Sequence, residues 1–383
     1  MNKRLFLWGG VGAVALSLAV FGVWLFSLPP APVASAGPPI PQAETAATLA
    51  ALKPPKRERP LIAIVGINDA TEVTDYLLPY GILRRADVAD VVALATGPGP
   101  VKLYPALTVR PDATVAEFDA RHPEGADYVV VPQMEPHDDP VALAWIGAQA
   151  AKGATVIGVC AGARVVGAAG LLDGRRATTH WYYLDAMLRQ HPTIRYAVDR
   201  RLVVDAGVAT TTGVTASMPM MLTLIEAIAG REKAEAVARD LGLSGWDARH
   251  HSGAFRFNRP FAMAVTGNVL AFWNREWLGV ALTPGIDEMS LALVTDAWSR
   301  TYRSQAVTFA ATAGAVETRS GIRVIPDEVA ADWPAGLLLP AIGNRRPAAA
   351  LDDALEGIAT RYGIPTADVV AMQLEYPKQR ASR

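Results

Sequence analysis

Cysteine is almost absent from this chain: Cys160 is the only one in 383 residues. A lone thiol excludes an intramolecular disulfide framework and a Cys-based zinc site. It also leaves Cys160 free unless a second chain or a small thiol caps it. Neither sign of charge is in excess. The formal net charge is -1 and no basic stripe runs along any segment, which argues against a nucleic-acid partner. Long apolar runs are missing everywhere after residue 28, so no later segment is fit to span a bilayer. His250-His251 and His137-Asp138-Asp139 do not make a convincing ligand set, so neither a metal nor a cofactor is expected.

What is present begins at the N-terminus. Lys3 and Arg4 precede an uncharged run from Leu5 to Leu28. About 20 apolar residues suffice for a membrane helix, and basic residues before the run favour a cytoplasmic N-terminus. The expectation is an anchor over 1–28, single-pass in a bacterial inner membrane, with the folded part periplasmic. The alternative is a signal peptide cut after Ala34-Ser35-Ala36 and a secreted product, although the run exceeds the usual h-region. Residues 29–59 are rich in Pro and Ala and read as a semi-stiff linker.

At 51% hydrophobic and 19% charged, the chain can bury a sizeable core. Short β-branched runs, "LIAIVGI" from Leu61, "VADVVALAT", "DYVVVP" and "ATVIGVC", alternate with helical stretches. That alternation predicts an α/β domain over 60–245, a parallel sheet sandwiched by helices. A connecting segment follows over 246–277. Residues 278–383 then read as a partial second α/β repeat. "VTFAATAG" answers "VVALATGP", and "IRVIPDEV" answers "LTVRPDATV", at an offset that stays between 208 and 216 residues. The second copy lacks the cysteine, and the position answering Asp75 is about Ser290. A half sheet cannot cover its own faces, so it should pack on the first domain or on a partner chain.

The strand "ATVIGVC" ends at the thiol and turns into a helix through small residues, the layout of a nucleophile elbow. Helix N-termini carry partial positive charge and favour a thiolate. A buried core cysteine is the competing reading.

The segment "VCAGARVVGAAGLLDGRRATTHW", Val159 to Trp181, resembles the nucleophile region of the DJ-1/PfpI family of the class I glutamine amidotransferase-like superfamily. Its isonitrile-hydratase and AraC-regulator-associated branch is the most similar. "DYLLPYGILRRA" from Asp75 and "ATTTGVTASMPMMLTLIEAIAG" extend the likeness over about 60–245. The resemblance implies a flavodoxin-like fold, with Asp75 as the acid beside the Cys160 thiol and His180 as a nearby proton shuttle. Ala161 N–H is a plausible donor to a developing oxyanion. Helix N-cap is the alternative role for Asp75, and packing beside Trp181 the alternative for His180. Glu72 is a weaker acid candidate, about one turn out of register.

Two departures stand out. Ala161 replaces the histidine of the protease-like members, and Gln133-Met134 replaces a usual Gly-Gly. The resemblance therefore suggests a reactive cysteine acting on small electrophiles, as a hydratase or a carbonyl or amide hydrolase. The alternative is a non-catalytic thiol or oxidative-stress sensor, or a binding module without a DNA-binding domain. The expected partners are a small-molecule substrate or oxidant, the membrane, and either a homodimer mate or an intramolecular pseudo-dimer half.

Overall fold

The computed structural model describes residues 16–17, 19–32 and 37–376. Apolar β-branched runs become buried strands, as their composition requires. The strands in chain order are β1 (Leu61–Gly66), β2 (Asp69–Glu72), β3 (Asp90–Ala95), β4 (Val101–Tyr104), β5 (Thr108–Arg110), β6 (Ala113–Thr114), β7 (Tyr128–Val131) and β8 (Thr155–Gly158). After the elbow come β9 (Arg176–Ala177), β10 (Arg195–Tyr196), β11 (Leu202–Asp205) and β12 (Val208–Thr211). The C-terminal part adds β13 (Glu276–Ala281), β14 (Ser304–Ala310), β15 (Val316–Glu317), β16 (Arg323–Ile325) and β17 (Glu328–Val329).

The main sheet has the order β11-β12-β8-β7-β1-β3-β6. Its pairs are parallel except the β11–β12 hairpin, so the sheet is mixed rather than purely parallel. β1 and β7 are buried along their whole length, because helices lie on both faces. Two apolar clusters result, one on each side of the sheet. Ile62, Ile64 and Val130 point into the first, and Ala63, Val65 and Val129 into the second. This is an α/β/α sandwich.

The first cluster continues without a break into the C-terminal part. Met289, Leu291, Leu293, Val370 and Leu374 share it with Tyr76, Leu77 and Cys160. β13, β14 and β17 form a small parallel sheet, while β16 adds antiparallel to β5 of the first part. In that pairing Val109 faces Val324, Thr108 faces Ile325 and Arg110 faces Arg323. Helix Val73–Ala86 packs on helix Glu288–Ser299 with reciprocal ion pairs. Arg300 Nη2 donates to Glu72, the N-cap of the first helix, at 2.6 Å. Arg85 Nη2 donates to Asp287, the N-cap of the second.

The stretch read as a linker holds a helix, Gln42–Ala51, that is docked on the body. Leu52 is fully buried, and its carbonyl accepts from Tyr128 OH at 2.7 Å. Glu44 takes a bidentate pair from Arg200.

The anchor requires a correction. Most of its proposed span, 1–15 and 18, lies outside the described residues. Among the described residues, no helix is long and apolar enough to cross a membrane. The described end of the run, helical over 19–27, touches protein. Trp24 meets the ring of Phe257 at 6.0 Å, and the Arg259 guanidinium lies over Phe26. Arg259 also donates to the carbonyls of Phe26 and Leu28. The transmembrane, inner-membrane and periplasmic expectations, and the membrane as partner, are overturned by these observations.

Candidate functional site

β8 delivers the chain to Cys160, and helix Gly162–Ala168 leaves it. Cys160 itself takes φ +56°, a left-handed conformation that side-chain-bearing residues rarely adopt. Two contacts enforce it. Cys160 N–H donates to the Thr211 hydroxyl at 2.9 Å, and the Thr179 hydroxyl donates to the Cys160 carbonyl at 3.0 Å. Gly162 is required by close approach: a Cβ there would stand 2.0 Å from the Val131 carbonyl oxygen. The expected sharp strand-to-helix corner is therefore present.

The environment of the thiol is the reverse of an activating one. Cys160 is 2% exposed. Burial pushes its pKa well above the ordinary thiol value, and the carboxylates of Asp75, Glu72 and Glu375 push it the same way. The Ala161 backbone N–H opposes them but ranks below all four causes. Burial and neighbouring carboxyl groups both disfavour the thiolate. The expectation of a reactive thiolate is therefore corrected.

Asp75 stands fully buried near this thiol, as the resemblance implies, but it is not the helix cap. Glu72 is the cap and accepts from Asp75 N at 2.7 Å and from the Thr74 hydroxyl at 2.8 Å. The Asp75 Oδ2 accepts from Gln133 N at 3.1 Å, so the residue in place of the usual glycine contributes its backbone amide. Asp75 Oδ1 is buried and makes no hydrogen bond, to sulfur or to anything else. Burial first, and the Glu72 charge second, raise the Asp75 pKa well above the carboxylate range. Gln133 turns its side-chain amide to Tyr183 OH at 3.2 Å.

His180 is also buried, and both ring nitrogens are engaged. Nδ1 accepts from Tyr182 N at 3.2 Å, so Nε2 carries the proton and donates to the Gln373 carbonyl at 2.8 Å. Burial lowers its pKa and keeps it neutral. A histidine with both nitrogens committed cannot relay a proton without breaking a bond.

The partner of His180 belongs to the far end of the chain, which sequence reasoning missed. Trp181 N–H donates to Glu375 Oε1 at 2.7 Å, and Trp181 Nε1 to the Met372 carbonyl at 2.9 Å. Thr215 holds the carbonyls of Leu374 and Glu375. Arg300 binds Glu72 and Asp296, and its carbonyl accepts from Gln373 Nε2 at 3.0 Å. One signal was available for Arg300. Its spacing from Asp287 repeats the spacing of Arg85 from Glu72.

Comparison with known proteins identifies the family. The sequence profile of the DJ-1/PfpI family matches residues 62–227. An isonitrile hydratase from Pseudomonas putida is 35% identical over 168 residues, 43% of this chain and 70% of that protein. The HTH-type transcriptional regulator CdhR from Pseudomonas aeruginosa is 30% identical over 189 residues, 48% of this chain and 53% of the regulator. A THiJ/PfpI family protein from Pseudomonas syringae superposes with a TM-score of 0.46 at 23% identity, over 56% of this chain and 86% of that one. The chain belongs to the DJ-1/PfpI family.

Proposed function

We propose that this chain is a non-catalytic binding module in which the region after residue 277 is a partial second copy of the fold. In this reading the second copy sits where a partner subunit would, as an internal pseudo-dimer half. The relatives include a protein named a hydratase and others named transcriptional regulators. The chemistry at Cys160 favours the side without turnover.

The observation that carries the reading is the sealed thiol. Cys160 is buried among carboxylates, Asp75 gives it no hydrogen bond, and His180 is tied to the Gln373 carbonyl. The reciprocal contacts support the pseudo-dimer. Asp287, Arg300 and Val324 each follow Glu72, Arg85 and Val109 by 215 residues, and each binds the counterpart that a twofold relation demands. Closed twofold interfaces are self-complementary in this way.

The test pairs turnover with labelling on the full chain. Methylglyoxal and an aryl isonitrile should be consumed no faster than by Cys160→Ser. Iodoacetamide should label Cys160 far more slowly in the native protein than in concentrated urea. Consumption of either compound that disappears in Cys160→Ser would overturn the proposal.

A further inference from the structure

Among the described residues Glu375 is one of three acidic side chains, with Asp75 and Asp296, that bury an oxygen without a hydrogen-bond partner. Its side chain is 1% exposed. Oε1 accepts from Trp181 N, but Oε2 is buried with no hydrogen-bond partner. The nearest ring nitrogen, Nε2 of His250, stands 3.7 Å away, beyond a good hydrogen bond. His250 stacks on Phe255 at 5.2 Å, and burial holds it neutral. Arg201 lies within electrostatic reach, but its Nε is committed to the Arg249 carbonyl. A buried carboxyl oxygen left without a donor is costly, and a charge-assisted donor would repair it.

Glu375 lines a cavity of about 450 Å³. The same cavity is walled by Trp181, Tyr182, Tyr196, Phe255 and Phe257. Asp185 adds a second carboxylate, and Arg256 is the only Lys or Arg among the lining residues. Aromatic faces attract cations, more strongly when desolvated. Rings and carboxylate therefore select the same charge.

We propose that this cavity binds a small protonated amine with an apolar body, whose ammonium N–H donates to Glu375 Oε2 while its charge rests against the aromatic wall. The ligand must carry an N–H, because the missing interaction is a hydrogen bond as well as a charge. Glu375 belongs to the turn that Trp181 and Thr215 hold. Occupancy would thus fasten the C-terminal segment beside the Cys160 site. The proposal deepens the binding-module reading by naming a ligand class. Its test reads binding alone, so its failure is distinguishable from the discovery of turnover at Cys160.

The experiment is titration calorimetry of the full chain with n-butylammonium chloride against matched sodium chloride. Saturable one-to-one binding is expected, with n-butanol and tetramethylammonium at least about tenfold weaker. Glu375→Gln keeps an oxygen for Trp181 N and should weaken butylammonium by a similar factor. Tyr182→Ala, at a side chain 60% exposed and so safe for folding, should weaken it severalfold. Absence of saturable butylammonium binding would sink the proposal. So would equal binding of n-butanol or tetramethylammonium, or indifference to both substitutions.

Discussion

Val109 of β5 lies directly opposite Val324 of β16, and the flanking residues exchange places across them, Thr108 with Ile325 and Arg110 with Arg323. In the proposed repeat these two valines correspond, and a strand pair centred on them is what a local twofold axis would produce. The outer strands obey it too: Val101 pairs with Val109, and Val316 with Val324. The ion pairs Arg85–Asp287 and Arg300–Glu72 lie on the same relation. Under the proposed reading, the two halves meet as subunits would, without the loss of translational freedom that a separate partner brings.

The first prediction tests that interface. Arg300 contacts Glu72 and Asp296, whose side chains are 1% and 0% exposed. Arg300→Ala strands both carboxylates. Removing one partner of a buried ion pair costs about 3–5 kcal/mol. Urea unfolding of Arg300→Ala should show a loss of that order. Adding Glu72→Gln and Asp296→Asn should recover much of it. A loss below about 1 kcal/mol would place the pair with weak surface bridges instead.

A second prediction concerns pH. Asp75 is held above its ordinary value of 3.8, first by burial and then by the Glu72 charge. A carboxyl with a raised folded pKa binds its proton more tightly when folded. Its contribution is therefore complete below about 3.8 and is lost as pH rises through the folded value. Asp75→Asn removes that loss. The stability of the variant relative to wild type should grow from pH 4 to pH 8 in urea titrations. Asp296, raised to about 7 mainly by burial, leaves a residual slope in both proteins. A difference that shrinks as pH rises would reverse the assignment.

Much of this was legible in the sequence, for local reasons. β1, β3, β7 and β8 announce themselves as β-branched apolar runs, and Gly162 marks a helix packed too close to β7 for a Cβ. The cap role offered as the alternative for Asp75 falls to Glu72, because both suit a helix start and only coordinates reveal which side chain folds back. The Leu5–Leu28 run misled because hydropathy records apolarity alone, whereas among the described residues no helix is long and apolar enough to cross a membrane. Phe257 and Arg259, which meet its described end, lie more than 200 residues away in sequence. The seal over His180 was illegible for the same reason. Its donors and acceptors are about 190 residues apart and follow no period.

The elbow itself gives a third prediction. At an ordinary buried site, glycine is less stable than alanine by roughly 0.5–1 kcal/mol, through backbone freedom. At φ +56° an alanine retains the left-handed strain, which costs about 1–2 kcal/mol. Cys160→Gly should therefore be at least as stable as Cys160→Ala in urea unfolding, despite removing more atoms. The usual order, alanine clearly above glycine, would mean that the corner is not strained.

The last prediction separates the C-terminal seal from mere burial. A chain ended after Gln373 loses Leu374 and Glu375, and with them the bonds to Thr215 and Trp181. Its Gln373 carbonyl, which holds His180, becomes part of the new terminal carboxylate. Loss of Leu374 opens the apolar cluster that contains Cys160. Iodoacetamide labelling of Cys160 should accelerate by about tenfold or more, because local opening then requires fewer bonds to break. Unchanged labelling would show that the thiol is buried by its own domain alone, and the C-terminal segment would then have no part in closing the site.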